Sequence, residues 1–173
     1  MIKSKRLDSP DILAVVPAAN APHTGTRDIG PVVETLSQVL GDTYRLTFKT
    51  HTYHWNVEGP LFHPVHLLTE GQYENLFAAA DVLAERLRAL GRLTPMHMAR
   101  MIEDSVIQDL DEVPSARAMI EDLQRDHAKM ANRMHTLFTR AEAAHDPVTA
   151  DLATQRAAFH EKAAWMLHAT AAG

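Results

Sequence analysis

Apolar residues recur every three to four positions along four long stretches, the spacing of helices that bury one face. From Pro31, a good first-turn residue, they fall at Val32, Leu36, Val39, Leu40 and Leu46 and run on to Trp55, stopping near Gly59-Pro60. A second stripe starts about Pro64, with Tyr73, Leu76, Ala80, Leu83, Leu87 and Leu90 before Gly91. Residues 92–113 contain Pro95 and mixed polarity, which predicts a connector with one short helix. A third helix follows Pro114, striped by Ile120, Leu123, His127, Met130, Met134 and Leu137. His145-Asp146-Pro147 opens the last, striped by Leu152, Phe159, Ala163 and Met166. Residues 1–25 lack periodicity and read as a flexible tail, leaving 26–173 as one domain. The pattern predicts an all-α four-helix bundle whose long connection joins the second and third helices, a ferritin-like order.

A chain of 173 residues suits one domain with a proper core. No apolar run approaches the ~20 residues that span a bilayer. The start, with Lys3 and Lys5 but Asp8 and Asp11 breaking a short apolar patch, makes a poor signal peptide, which fits a cytoplasmic protein. The net charge of −5 argues against a basic nucleic-acid-binding surface over the whole molecule. There is no cysteine, so disulfides, thiolate ligands and a cysteine nucleophile are excluded together. A metal site must use imidazole and carboxylate, which suits iron, manganese or zinc.

The second helix carries such groups. His66 and Glu70 are four residues apart, as are Asp81 and Glu85, so each pair projects its side chains in nearly one direction. Eleven residues separate Glu70 from Asp81, three turns or roughly 16 Å, too far for one ion. The stripe is centred about 130° from the apolar one, so it faces a flank rather than the subunit's own core. An HxxxE or DxxxE pair alone is common on solvated helices. Here Phe77 lies on the same face and Leu67 near it. Pairing this helix antiparallel with its own copy, about a two-fold near Asn75–Leu76, brings His66 and Glu70 opposite Asp81 and Glu85 of the neighbour. His54, twelve residues before His66, can add a second imidazole.

The segment His54-Trp55-Asn56-Val57-Glu58-Gly59, then Phe62, His66 and Glu70, then Asp81-Val82-Leu83-Ala84-Glu85-Arg86 with Leu90-Gly91, resembles the Dps family, the DNA-protecting mini-ferritins of starved bacterial cells. The likeness is strong over the first two helices and extends to the rest by length and pattern. It implies a hollow dodecamer that oxidises ferrous iron at dinuclear sites, or sites of one iron plus water, preferentially with hydrogen peroxide, and stores ferric mineral. It implies His54, His66 and Glu70 as ligands from one subunit, Asp81 and Glu85 from its two-fold neighbour. Many members carry aspartate where this chain has Glu70.

Other residues have plainer readings beside functional ones. His51, His63 and His160 are candidate accessory ligands, more simply exposed or interfacial histidines, and His127 is structural. The resemblance implies acidic three-fold pores, for which Asp146 and Asp151 are candidates, though acids at a helix start are commonly caps. Trp55, beside a proposed ligand, can intercept oxidising equivalents or simply pack. Lys3, Lys5 and Arg6, partly offset by Asp8 and Asp11, allow weak, salt-sensitive DNA binding by many copies of the arm. The competing reading is a structural nucleoid protein that coats DNA, with metal secondary.

Overall fold

A computed structural model of the chain describes residues 25, 26 and 28–172. Residues 1–24, and with them Lys3, Lys5, Arg6 and nearly all of the expected tail, lie outside the described residues. Five helices follow in order: α1 (Gly30–Asn56), α2 (Phe62–Ala89), the single-turn α3 (Met98–Met101), α4 (Ala116–Ala143) and α5 (Pro147–Ala171). The four long helices are those the periodicity predicts, and α3 sits in the long connector as expected. The chain is therefore all-α with the ferritin-like helix order.

Helix ends follow local chemistry. Pro31 and Pro147 occupy first-turn positions, Ser115 accepts from the Ala118 amide at 3.2 Å, and Asp146 accepts from the Thr149 amide at 3.0 Å. α2 begins two residues before Pro64, because a turn at Gly59 (φ 82°) already lets the Phe62 amide bond the Gly59 carbonyl. At its far end Gly91 takes φ 74°, and the amides of Gly91 and Arg92 close back on the carbonyls of Arg88 and Leu87. His145 performs the same service after α4 at φ 55°.

α1 and α2 form one antiparallel pair, α4 and α5 another, and α1 packs along α4. Polar contacts keep the α1–α4 register: Arg140 to Thr35 at 2.5 Å, Arg133 to Asp42 at 3.3 Å, and Lys49 to Asp122 and Asp126 at 2.6 and 2.5 Å. Lys49 also donates to the Gln108 carbonyl, and Asp42 accepts from Ser105 Oγ and the Val106 amide. Two buried charges thus pin the connector onto α1. Gly41 lies against the Met101 carbonyl so closely that a Cβ has no room.

The core stripes of α2 and α4 hold: Leu76, Leu83, Leu87, Ile120, Leu123, His127, Met130, Met134 and Leu137 are buried. α5 differs from expectation. Its buried face is Ala150, Ala153, Ala157, His160, Ala163 and Leu167, while Leu152 and Phe159 are half-buried and Met166 is exposed rather than core filler. Small residues let α4 and α5 approach closely, so the larger side chains are displaced to the edges. This places His160, expected at an interface or near metal, at 0% exposure in the interior.

Candidate metal centre

The α1–α2 hairpin brings His54, on the last turn of α1, against His66, on the first turns of α2. Their rings stack at 3.7 Å between centroids, 19° from parallel. Each Nδ1 lies against the other's backbone carbonyl, His54 on the His66 oxygen at 2.9 Å and His66 on the His54 oxygen at 3.0 Å. A carbonyl only accepts, so both Nδ1 atoms carry a proton, and in the neutral ring this leaves the Nε2 lone pair free. That is the tautomer a metal-binding imidazole needs, with orientation set by the backbone. Thr69 Oγ1 adds to this frame, bonding the Val65 carbonyl at 2.7 Å and standing 3.4 Å from His54 Nδ1. His54 is buried and His66 half-buried, one turn before half-buried Glu70.

Asp81 and Glu85 are exposed farther along α2, on the flank that also presents Phe77 at 66% and, at its edge, Leu67 at 53% exposure. Arg86, adjacent to Glu85, turns inward to Asp146 and leaves the Glu85 carboxylate unneutralised. None of Glu70, Asp81 and Glu85 is ion-paired among the described residues. The chain thus brings together His54 and His66, with Glu70 on the same helix, and keeps Asp81 and Glu85 three turns away. Among the described residues, no three histidine or acidic side chains gather as one metal-binding group.

An aromatic column that the periodicity does not predict surrounds the histidines. His51 packs against Trp55 at 3.9 Å and Tyr73 at 4.1 Å, Tyr73 meets His54 edge-on at 5.2 Å, and Phe62 lies 5.0 Å from His66. The i,i+4 spacing of His51 and Trp55 was the available signal. His63 is exposed. Asp146 is 1% exposed, bound by Arg86 and Thr149 as the α5 cap. Burial alone would push its carboxyl up, but the hydrogen bonds from Arg86 and Thr149 and the Arg86 charge hold it below the usual range. It therefore acts as a cap and an inter-helix tie, and of the two pore candidates only exposed Asp151, which accepts from Gln155, faces solvent.

A second histidine pair lies inside. His127 and His160 are both 0% exposed, with Nδ1 atoms 2.9 Å apart. Their centroids stand 5.2 Å apart, farther by about two ring radii, so the Nδ1 atoms meet head-on and the Nε2 atoms point away. One ring donates and the other accepts, so this pair is bonded to itself. Burial pushes His127 down to about 3, with Arg156 adding to the effect, and pushes His160 well below its ordinary value, with His127 and Arg156 adding.

Residues 33–172 match the family described as the ferritin-like domain, which sets the class: a ferritin-like helical bundle. The chain is 32% identical over 167 residues to DNA protection during starvation protein 1 of Deinococcus radiodurans, spanning 87% of this chain and 80% of that one. It superposes on the crystal structure of Dps from Staphylococcus aureus with a TM-score of 0.79 at 26% identity, covering 84% of this chain and 97% of that one. A Dps protein from Vibrio cholerae O1, described as a member of a broad superfamily of ferritin-like diiron-carboxylate proteins, matches at 0.74 and 25% identity over 80% of this chain and 87% of that one. The chain belongs to the Dps family.

Proposed function

We propose that the protein is an iron-storing ferroxidase that oxidises ferrous iron, preferentially with hydrogen peroxide, at dinuclear sites shared between two subunits of a dodecameric shell. One subunit supplies His54, His66 and Glu70; its two-fold neighbour supplies Asp81 and Glu85. The reading is carried by the reciprocal His54–His66 bonds, which occupy both Nδ1 atoms and leave Nε2 as each ring's metal-binding nitrogen, beside the helix that bears Glu70. Membership of the Dps family and likeness to a diiron-carboxylate protein support iron as the metal and a multi-subunit assembly.

The donor set fits the chemistry. Neutral imidazoles and carboxylates bind ferrous iron and leave positions open to an oxidant, and negative charge favours the ferric product. Two ferrous ions give one electron each to one peroxide. Its O–O bond breaks, two protons are taken up, and two waters and two ferric ions result, with no hydroxyl radical released. Ferric product then passes to mineral inside the shell. The exposed carboxylates are the half-site that a second α2, laid antiparallel about Asn75–Leu76, places opposite His66 and Glu70. Phe77 on the same flank and Leu67 at its edge support its being covered.

Removing ferrous iron and peroxide protects DNA without contact. Direct binding, in this reading, is the weaker contribution, through the basic residues of arm 1–25 preceding bundle 26–173, and it is salt-sensitive. No helix among the described residues is long and apolar enough to cross a membrane; the proposed compartment is the cytoplasm, with nucleoid association following only from that arm.

The deciding experiment loads the protein anaerobically with ferrous iron, adds peroxide and follows ferric absorbance in parent and His54→Ala/Asp81→Ala protein of equal assembly. Fast oxidation in the parent alone supports the shared site. Equal rates would return the protein to the DNA-coating reading.

A further inference from the structure

The single-turn α3 and the step into it concentrate one donor type. The chain has eight methionines, and three of them, Met96, Met98 and Met101, fall within six residues. Met119, Met130 and Met134 are buried in the core. Met96 and Met98 instead stand at 75% and 58% exposure. Met101 is half-buried and lines a groove of about 210 Å³ with Glu34, Pro95 and Asp104.

The backbone gathers these side chains. The Met101 amide bonds the His97 carbonyl at 2.9 Å and the Ile102 amide bonds the Met98 carbonyl at 3.1 Å, closing one helical turn. Met98 and Met101, three apart on that turn, are neighbours on one face, with Cβ atoms about 5–6 Å apart. His97 is extended, at φ −120° and ψ 111°, so the residues on either side of it, Met96 and Met98, project to the same side. Three thioethers thus share one side of the connector, and the exposed His97 ring falls on the other. The turn is held in place, because the Met101 carbonyl lies against Gly41 of α1.

Thioethers are soft, neutral donors. They select cuprous ion, whereas ferrous iron takes the imidazoles and carboxylates found on α1 and α2. Glu103 and Asp104, exposed just beyond the turn, outweigh the charge of Arg100 within it and favour the approach of a cation. We propose that Met96, Met98 and Met101 form a cuprous-ion site, separate from the histidine and carboxylate centre. The two metals are thereby sorted by donor type. A cuprous ion held on the connector is kept from the imidazoles of His54 and His66, which copper also binds.

The test uses the assembled, full-length protein under nitrogen, titrated with cuprous ion against the chromophoric chelator bicinchoninate and then measured by X-ray absorption at the copper edge. The parent should take up one cuprous ion per subunit, with sulfur as the dominant scatterer. Met96→Leu/Met98→Leu preserves apolar volume. It should weaken that binding by about tenfold or more, at least the cost of losing a supporting group at a metal site. His97→Ala should leave it unchanged, and both variants should oxidise iron at the parent rate. Absence of copper–sulfur scattering in the parent, equal affinity in parent and methionine variant, or binding lost in His97→Ala would each overturn the proposal. So would a crystal of the assembled protein in which a neighbouring subunit covers Met96 and Met98, which would make them an interface. If the double variant fails to assemble, Met98→Leu alone carries the comparison.

Discussion

The molecule contains two histidine pairs, and they use the same atoms to opposite ends. His54 and His66 spend Nδ1 on each other's backbone carbonyls, stack face to face and keep both Nε2 lone pairs. His127 and His160 spend Nδ1 on each other, lie at 0% exposure and point their Nε2 atoms apart. Residue type does not separate a candidate metal site from a core contact. The partner of Nδ1 does, because it fixes which nitrogen remains and the direction it points.

Breaking the first pair has the largest expected effect. His66→Ala should lower the initial rate of peroxide-driven ferrous oxidation by about a hundredfold or more, with assembly intact by light scattering. His127→Ala acts on stability instead, costing about 2–4 kcal/mol in urea unfolding through the cavity and the orphaned His160. Its assembled fraction should oxidise iron at the parent rate. Loss of oxidation there, with stability unchanged, would invert the comparison.

Acid sharpens the contrast. The interior pair stays neutral in the fold down to about pH 3 at His127, whereas the unfolded imidazoles protonate near ~6.5. Between those values the unfolded state binds more protons, so stability is full above ~6.5 and falls as pH drops toward about 3, by up to ~1.4 kcal/mol per pH unit for each histidine. Urea midpoints at pH 7 and pH 5 should therefore diverge, and His127→Phe/His160→Leu should narrow the gap. A smaller effect belongs to Thr69→Val. Loss of the hydroxyl near His54 Nδ1 should weaken ferrous binding by about tenfold with little change in the unfolding midpoint. Gly41→Ala, remote from both pairs, should cost about 1–3 kcal/mol, because the α3 turn at Met101 must move.

The difference between the pairs also marks how far the sequence is legible. The stripes of α1, α2 and α4 are built from large aliphatic residues, so their periodicity identifies the core. Likewise, the HxxxE and DxxxE spacings alone put the ligand stripe off that core. α5 hides its inner face because alanine carries little signal against Leu152, Phe159 and Met166, and a stripe drawn through those larger residues leaves His160 outside. Asp146 looks like a pore acid because nothing local announces a partner sixty residues earlier, and Arg156 draws no attention because its burial depends on how α5 sits against α2. Contacts within one helix are readable. Those set by the docking of two are not.

Glu85 and Arg86 are neighbours in sequence and face about 100° apart around α2, one toward the proposed shared site and one onto Asp146 and Thr149 at the start of α5. The angular phase of α2 is thereby clamped at the residue beside the proposed ligand Glu85. A deep mutational scan that scored iron oxidation would flag Asp146 and Thr149 as functional positions although neither belongs to the proposed ligand set, and drift within the family at position 86 should track drift at 146.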